Sequence, residues 1–157
     1  MGMSTESRPN EQWEIGVKGV IRDLKNGGVL LLERPTGLWE LPGGRMRVGE
    51  KPDETLQREL TEELPGVGEV VVGKLVGVQA TEFRLPSRSA LMLFVYLAQA
   101  RPADLSVSDE HLSARWTTAA QLPKMSILPE QLPFIEHVLR FPAGADVPAL
   151  DTSKLSS

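Results

Sequence analysis

Between Pro52 and Leu64 the chain places Leu56, Leu60 and Leu64 at i, i+4 and i+8, with Glu59, Glu62 and Glu63 beside them. At 3.6 residues per turn this is a helix with one apolar stripe and three carboxylates crowded next to it. Pro52 suits the first turn, where its missing N–H costs nothing. Asp53 and Glu54 follow at the positive end of the helix dipole. Leu64 precedes a proline, which disfavours the α conformation there, so the helix is predicted over 52–63. Each buried leucine is worth about 1.5–3 kcal/mol, enough for the stripe to dock the helix on a sheet. Like charges at i, i+4 oppose a helix by about 0.2–0.5 kcal/mol per pair, and Arg58, four residues before Glu62, offsets part of that. Such an acidic face serves either as a solvated surface or as a site for a hard divalent cation. Helix geometry alone leaves both readings open.

The rest of the chain supplies strands for the stripe to cover. Trp13 to Ile21 reads as one, and Asn26-Gly27-Gly28 as a turn returning into Val29 to Leu32. Pro35, Gly37, Pro42, Gly43 and Gly44 mark a long loop. Val67 to Gln79, Ala90 to Ala98 and Ala114 to Thr117 read as further strands, and Thr118 to Leu122 as a helical turn. Leu132, Ile135, Val138 and Leu139 give Leu128 to Phe141 helical spacing. Interleaved strands and two helices indicate an α/β or α+β sandwich. A length of 157 residues fits one domain, 1–157, with 1–12 and 142–157 expected as loose tails.

Charge and composition exclude several function classes. The formal net charge of −4 disfavours a nucleic-acid backbone as partner. An anionic substrate would need metal ions or clustered arginines. There is no cysteine, which excludes disulfides and thiolate metal sites and fits a reducing, cytoplasmic setting. No apolar run approaches the roughly 20 residues of a membrane span, and the opening MGMSTESRPN lacks the apolar core of a secretory signal. No membrane and no nucleic acid are expected as partners.

The residues before the helix favour the metal. Gly44 is followed by five residues, then Glu50, then seven, then Arg58-Glu59-Leu60-Thr61-Glu62-Glu63. This resembles the Nudix box, G-x5-E-x7-R-E-U-x-E-E-x-G-U with U a bulky aliphatic residue. Trp39-Glu40-Leu41-Pro42-Gly43-Gly44 looks like the usual approach to it. One departure follows the helix, where Pro65 stands at the family's glycine and Gly66 at its aliphatic residue. The resemblance implies a Nudix-type α/β/α sandwich around a mixed β-sheet. It implies Mg²⁺ (or Mn²⁺) as cofactor and hydrolysis of a nucleoside diphosphate linked to another moiety, of the triphosphate or diphosphate-sugar type.

Carried over by position, Glu59, Glu62 and Glu63 would be metal ligands, with a backbone carbonyl from the Gly44 region. Glu62, Glu63 and Arg58 would form the catalytic set, Arg58 orienting the glutamates and Glu50 supporting it. In MutT-like members a loop glutamate at a similar distance before the tryptophan of the next strand assists the metal or the water. Here that is Glu110, six residues before Trp116. Glu82 is the substitute candidate, and His111 adjoins Glu110. Arg34, Arg45, Arg47, Arg84 and Arg88 flank the loops where phosphate would bind. Phe83 could stack on a base, and Trp39 either lines the pocket mouth or pins its loop. A homodimer stays open. The competing readings on this fold are a non-catalytic nucleotide-sensing module, which usually loses box acids, and an isoprenoid diphosphate isomerase, which wants a catalytic cysteine.

Overall fold

The computed structural model describes residues 12–84 and 89–155, with Glu82, Phe83 and Arg84 described by their backbone alone. The N-terminal tail through residue 11 lies outside the described residues. So do the side chains of Glu82, Phe83, Arg84 and Arg88, and with them the roles expected there.

Strand β1 (Trp13–Ile21) is central. It pairs antiparallel with β4 (Gly43–Arg45) and parallel with β6 (Ala90–Ala100), and β5 (Val70–Arg84) lies antiparallel on the far side of β6. The order is β4-β1-β6-β5. A second, antiparallel sheet holds β3 (Trp39–Glu40), β2 (Val29–Glu33) and β7 (Ser113–Thr117) in the order β3-β2-β7.

Alternation along these strands builds two cores. Val17, Ile21, Leu30 and Leu32 pack with Leu56, Leu60 and Leu64 of helix α1 (Pro52–Glu63) and its C-cap. Val20, Val29 and Leu31 pack on the other face with Phe134, Ile135 and Val138 of helix α2 (Leu132–Leu139). Successive strand residues point to opposite faces, so Val29 to Leu32 is buried at every position and reads as an unbroken apolar run. The result is an α/β/α sandwich around a mixed four-stranded sheet and an antiparallel three-stranded one. No helix of the described residues is long and apolar enough to cross a membrane.

Helix α1 starts and stops where its sequence requires. Glu54 accepts the Lys51 N–H at 3.0 Å, satisfying a donor just ahead of the helix. Leu64 leaves the helical region at φ −130 and ψ 86, as a residue before proline does. With Pro65 in the family's glycine position, the left-handed residue of the exit is Gly68, at φ +69.

Several boundaries differ from the sequence reading. The loop between β2 and α1 contains the short strands β3 and β4. Strand β5 begins at Val70 and continues to Arg84, with register shifts that absorb its glycines. At Gly77 a Cβ would lie 2.8 Å from the Phe134 ring, so the missing side chain lets α2 approach. Helix α2 begins only at Leu132, with Pro133 in its first turn. The stretch after Pro142, expected as a loose tail, is docked instead. Val147 is buried, the Leu150 N–H donates to Val76 O at 2.7 Å, and His137 Nε2 contacts Pro148 O at 2.6 Å. A Pro- and Ala-rich composition hid one apolar residue that completes the α2 core.

Candidate active site

The loop from Gly43 to Lys51 crosses the acidic face of α1, and each polar position of the motif has a physical job there. Glu50 is its staple. It accepts the Arg47 N–H at 2.8 Å and the Thr55 hydroxyl at 3.1 Å. It also accepts two bonds from the Arg58 fork, Nε to Oε2 at 2.6 Å and Nη2 to Oε1 at 2.9 Å. Arg58 and these donors hold the Glu50 carboxyl down at about 2. Arg58 itself is pushed above its usual value, first by Glu50 and then by Glu59. Its remaining bonds go to Glu59 Oε1 at 2.8 Å and to the Arg45 carbonyl at 3.0 Å, with Glu62 Oε1 3.7 Å away. One planar guanidinium thus ties the loop to the helix and neutralises neighbouring carboxylates, which a lysine could not do with one point charge.

The two glycines are sites of close approach. Gly44 faces Glu59, and a Cβ on it would lie 2.5 and 2.6 Å from the two carboxylate oxygens. Gly43 adopts φ +133 against the backbone of β1, a conformation that L side chains rarely take. Its N–H donates to Glu63 Oε1 at 2.8 Å.

The structure separates the three box glutamates by environment. Glu59 is mostly covered and bound by Arg58, Glu62 is exposed, and Glu63 is buried. Burial pushes the Glu63 carboxyl up to about 7, against the opposing pull of Lys18, the Gly43 N–H and His111. Among the described residues, the group whose potential ligand atoms come within 4.8 Å of one another is Glu40, Glu63 and His111. His111 Nε2 lies 3.0 Å from Glu40 Oε1 and 3.8 Å from Glu63 Oε2. Glu40 is met on its other side by Arg34 Nε at 2.9 Å and Lys18 Nζ at 3.9 Å. Burial would raise the Glu40 carboxyl, but Lys18, the His111 hydrogen bond and Arg34 together hold it below its usual value. Lys18 also donates to the carbonyls of Leu41 and Gly43 at 3.1 and 3.3 Å.

The buried roles of Lys18 and Glu40 were not foreseen in the sequence. The available signal was a charged residue standing inside an apolar strand, Lys18 beside Val17 and Glu40 between Trp39 and Leu41. Arg34, expected at a phosphate, is committed to Glu40. Arg45 is exposed and lies 3.4 Å from Glu14, and Arg47 is exposed. Glu110 is exposed on the loop between β6 and β7. The neighbouring Ser108 N–H donates to the Glu63 carbonyl at 3.0 Å, which brings that loop to the end of α1. Trp39 is buried with the Arg115 guanidinium 5.2 Å from its ring, and it pins its loop through backbone bonds with Ser126 and Leu128.

The family model described as NUDIX domain matches residues 13–138. A relative from Mycobacterium tuberculosis, called putative 8-oxo-dGTP diphosphatase 2, is 33% identical over 106 residues, covering 66% of this chain and 70% of its own length. The ADP-ribose pyrophosphatase of Methanocaldococcus jannaschii is 28% identical over 134 residues, 83% of this chain and 75% of its own. The crystal structure of a MutT protein from Methanosarcina mazei Go1 superposes with a TM-score of 0.70 at 26% identity, covering 85% of this chain and 97% of that one.

Proposed function

Because the chain belongs to the Nudix family and is a hydrolase of phosphoanhydride bonds in nucleotide-type substrates, we propose that it is a Mg²⁺-dependent pyrophosphohydrolase. Its substrate is a nucleoside diphosphate linked to another moiety, in a triphosphate or a diphosphate sugar. The observation that carries this reading is the Glu59 carboxylate packed on the bare backbone of Gly44, under the Arg58 fork.

The residues present fit a hard divalent ion. The acidic face of α1 and the backbone beside it offer oxygen donors without a thiol, the donor chemistry of Mg²⁺ and Mn²⁺. Glu59, Glu62 and Glu63 would hold the ion, with a backbone carbonyl from the Gly44 region of β4. When bound, such an ion neutralises phosphate oxygens and lowers the pKa of a bound water. The protein's own contribution is positional. Arg58 fixes Glu59 and the loop, the Gly43 N–H fixes Glu63 Oε1, and Glu110 on its anchored loop is the candidate to take the proton of the attacking water. Arg45 at the end of β4 and Arg47 just after it, both exposed, suit the phosphates.

The activity for which the M. tuberculosis relative is named favours a triphosphate, and that of the M. jannaschii relative a diphosphate sugar. The test is a panel of both substrate classes with Mg²⁺ or Mn²⁺, with products identified by mass in ¹⁸O-labelled water. The expected result is a nucleoside monophosphate plus pyrophosphate or a sugar phosphate, formed only with metal. Absence of turnover across the panel, or turnover in the presence of chelator, would contradict it.

A further inference from the structure

His111 joins two parts of the site that the sequence keeps apart. Its ring lies between Glu40 of β3 and Glu63 of α1, and all three residues are buried. Both neighbours of Nε2 are carboxylates, so Nε2 carries the proton and donates. Glu63 is then held at Oε1 by the Gly43 N–H, and its Oε2 faces the imidazole 3.8 Å away, whose own hydrogen bond goes to Glu40. The same loop touches Glu63 a second time, through the Ser108 N–H on its carbonyl.

Two roles compete for this trio. In one, the three side chains are themselves a cation site. Glu40 speaks against that, because Arg34 and Lys18 already meet its charge. In the other, the trio is a brace. Glu40, anchored by two cations, fixes the imidazole through a 3.0 Å hydrogen bond, and the imidazole in turn packs its edge 3.8 Å from the Glu63 carboxylate.

We propose that His111 is a positioning residue, which sets the orientation of the Glu63 carboxylate for the metal and fastens the Glu110 loop to the same helix end. This rests on the assignment of Glu63 as a metal ligand. Outer partners of metal-binding side chains hold ligand orientation, and their loss typically costs about 10–100-fold in metal affinity. A residue that only filled space would be replaceable by any ring of similar size.

The test is Mn²⁺ binding to the substrate-free protein, by calorimetry and by electron paramagnetic resonance of the free ion, for wild type, His111→Phe and His111→Gln. Phenylalanine keeps a buried ring without a donor, and glutamine restores an N–H donor at a similar reach. Near-ultraviolet circular dichroism reports whether each variant is folded, and His111→Leu replaces the phenylalanine variant if that one is not. The expected result is Mn²⁺ affinity about 10–100-fold weaker in the folded variant without a donor, and largely restored in His111→Gln. A folded donor-less variant that binds Mn²⁺ like wild type overturns the inference, as does a glutamine variant just as weak. Wild-type protein that binds no Mn²⁺ overturns the metal-dependent reading itself, so the two failures are distinguishable.

Discussion

The Glu59 carboxylate occupies the space that a side chain on Gly44 would need. The first glycine of the motif is therefore a steric requirement of its first helical glutamate, one residue on a strand and the other on a helix. Gly44→Ala is expected to displace Glu59 from Arg58, lowering stability by about 1–3 kcal/mol, as overpacking does, and sharply reducing hydrolysis. Gly49 provides the control. A Cβ there meets nothing within 4 Å, but its φ of +89 strains any L residue. Gly49→Ala should lower stability by about 1–2 kcal/mol while the rate is kept. Denaturant melts with steady-state kinetics on both variants check this; equal rates in the two would show that Glu59 does not need the bare backbone.

Glu63 makes metal-free stability depend on pH. Its folded carboxyl is raised to about 7 from an ordinary 4.5, so the folded state binds more protons than the unfolded one between those values. Its contribution is fully present below about 4.5 and is lost as pH rises through 7. At 1.36 kcal/mol per unit the loss is about 3 kcal/mol. Glu50, held near 2, acts with the opposite sign, its contribution lost as pH falls from 4.5 toward 2. Melting temperature in chelator should therefore fall between pH 5 and pH 8, and Glu63→Gln should flatten that fall. Added Mg²⁺ should reverse it with proton release, since a metal binds the ionised carboxylate. A pH-independent melt in chelator would contradict the burial argument.

The helix was legible because its signals are local. Leu56 and Leu60 repeat every fourth residue, Pro52 and Pro65 bracket the ends, and the glutamates fall beside the stripe. The brace was not legible. Lys18, Glu40 and His111 come from a strand, a second strand and a loop, with Glu40 and His111 71 positions apart. Only the folded sheet order brings them together. The docked C-terminal stretch was hidden for a related reason, because one buried Val147 decides it against the surrounding composition.

The core assignments have their own test. Leu60 is fully buried, so Leu60→Ala should lower stability by about 2–5 kcal/mol through lost transfer energy and a cavity. Removing residues 142–157 should also lower the melting temperature, by uncovering the α2 core around Phe134. A truncated protein that melts like the full chain would show that the docked segment contributes nothing.

Glu110 is exposed on its loop, and kinetics tests its role. Glu110→Gln should lower kcat about a hundredfold or more at every Mg²⁺ concentration if it takes the water's proton, a contribution typically of about 10²–10⁴-fold for a general base. Recovery when Mg²⁺ is raised would make it a ligand instead. A wild-type profile would leave it a solvated loop acid.

The most direct measurement of the central claim is Glu63→Gln at pH 8 with saturating Mg²⁺, followed for stability and hydrolysis in the same preparation. Glutamine keeps an acceptor for the Gly43 N–H and removes a buried charge, so the metal-free variant should melt at or above the wild-type temperature. Its rate should fall about a hundredfold or more, equivalent to roughly 2.7 kcal/mol of barrier. A folded Glu63→Gln protein that hydrolyses its substrate at the wild-type rate would contradict the assignment of this helix as the catalytic metal site.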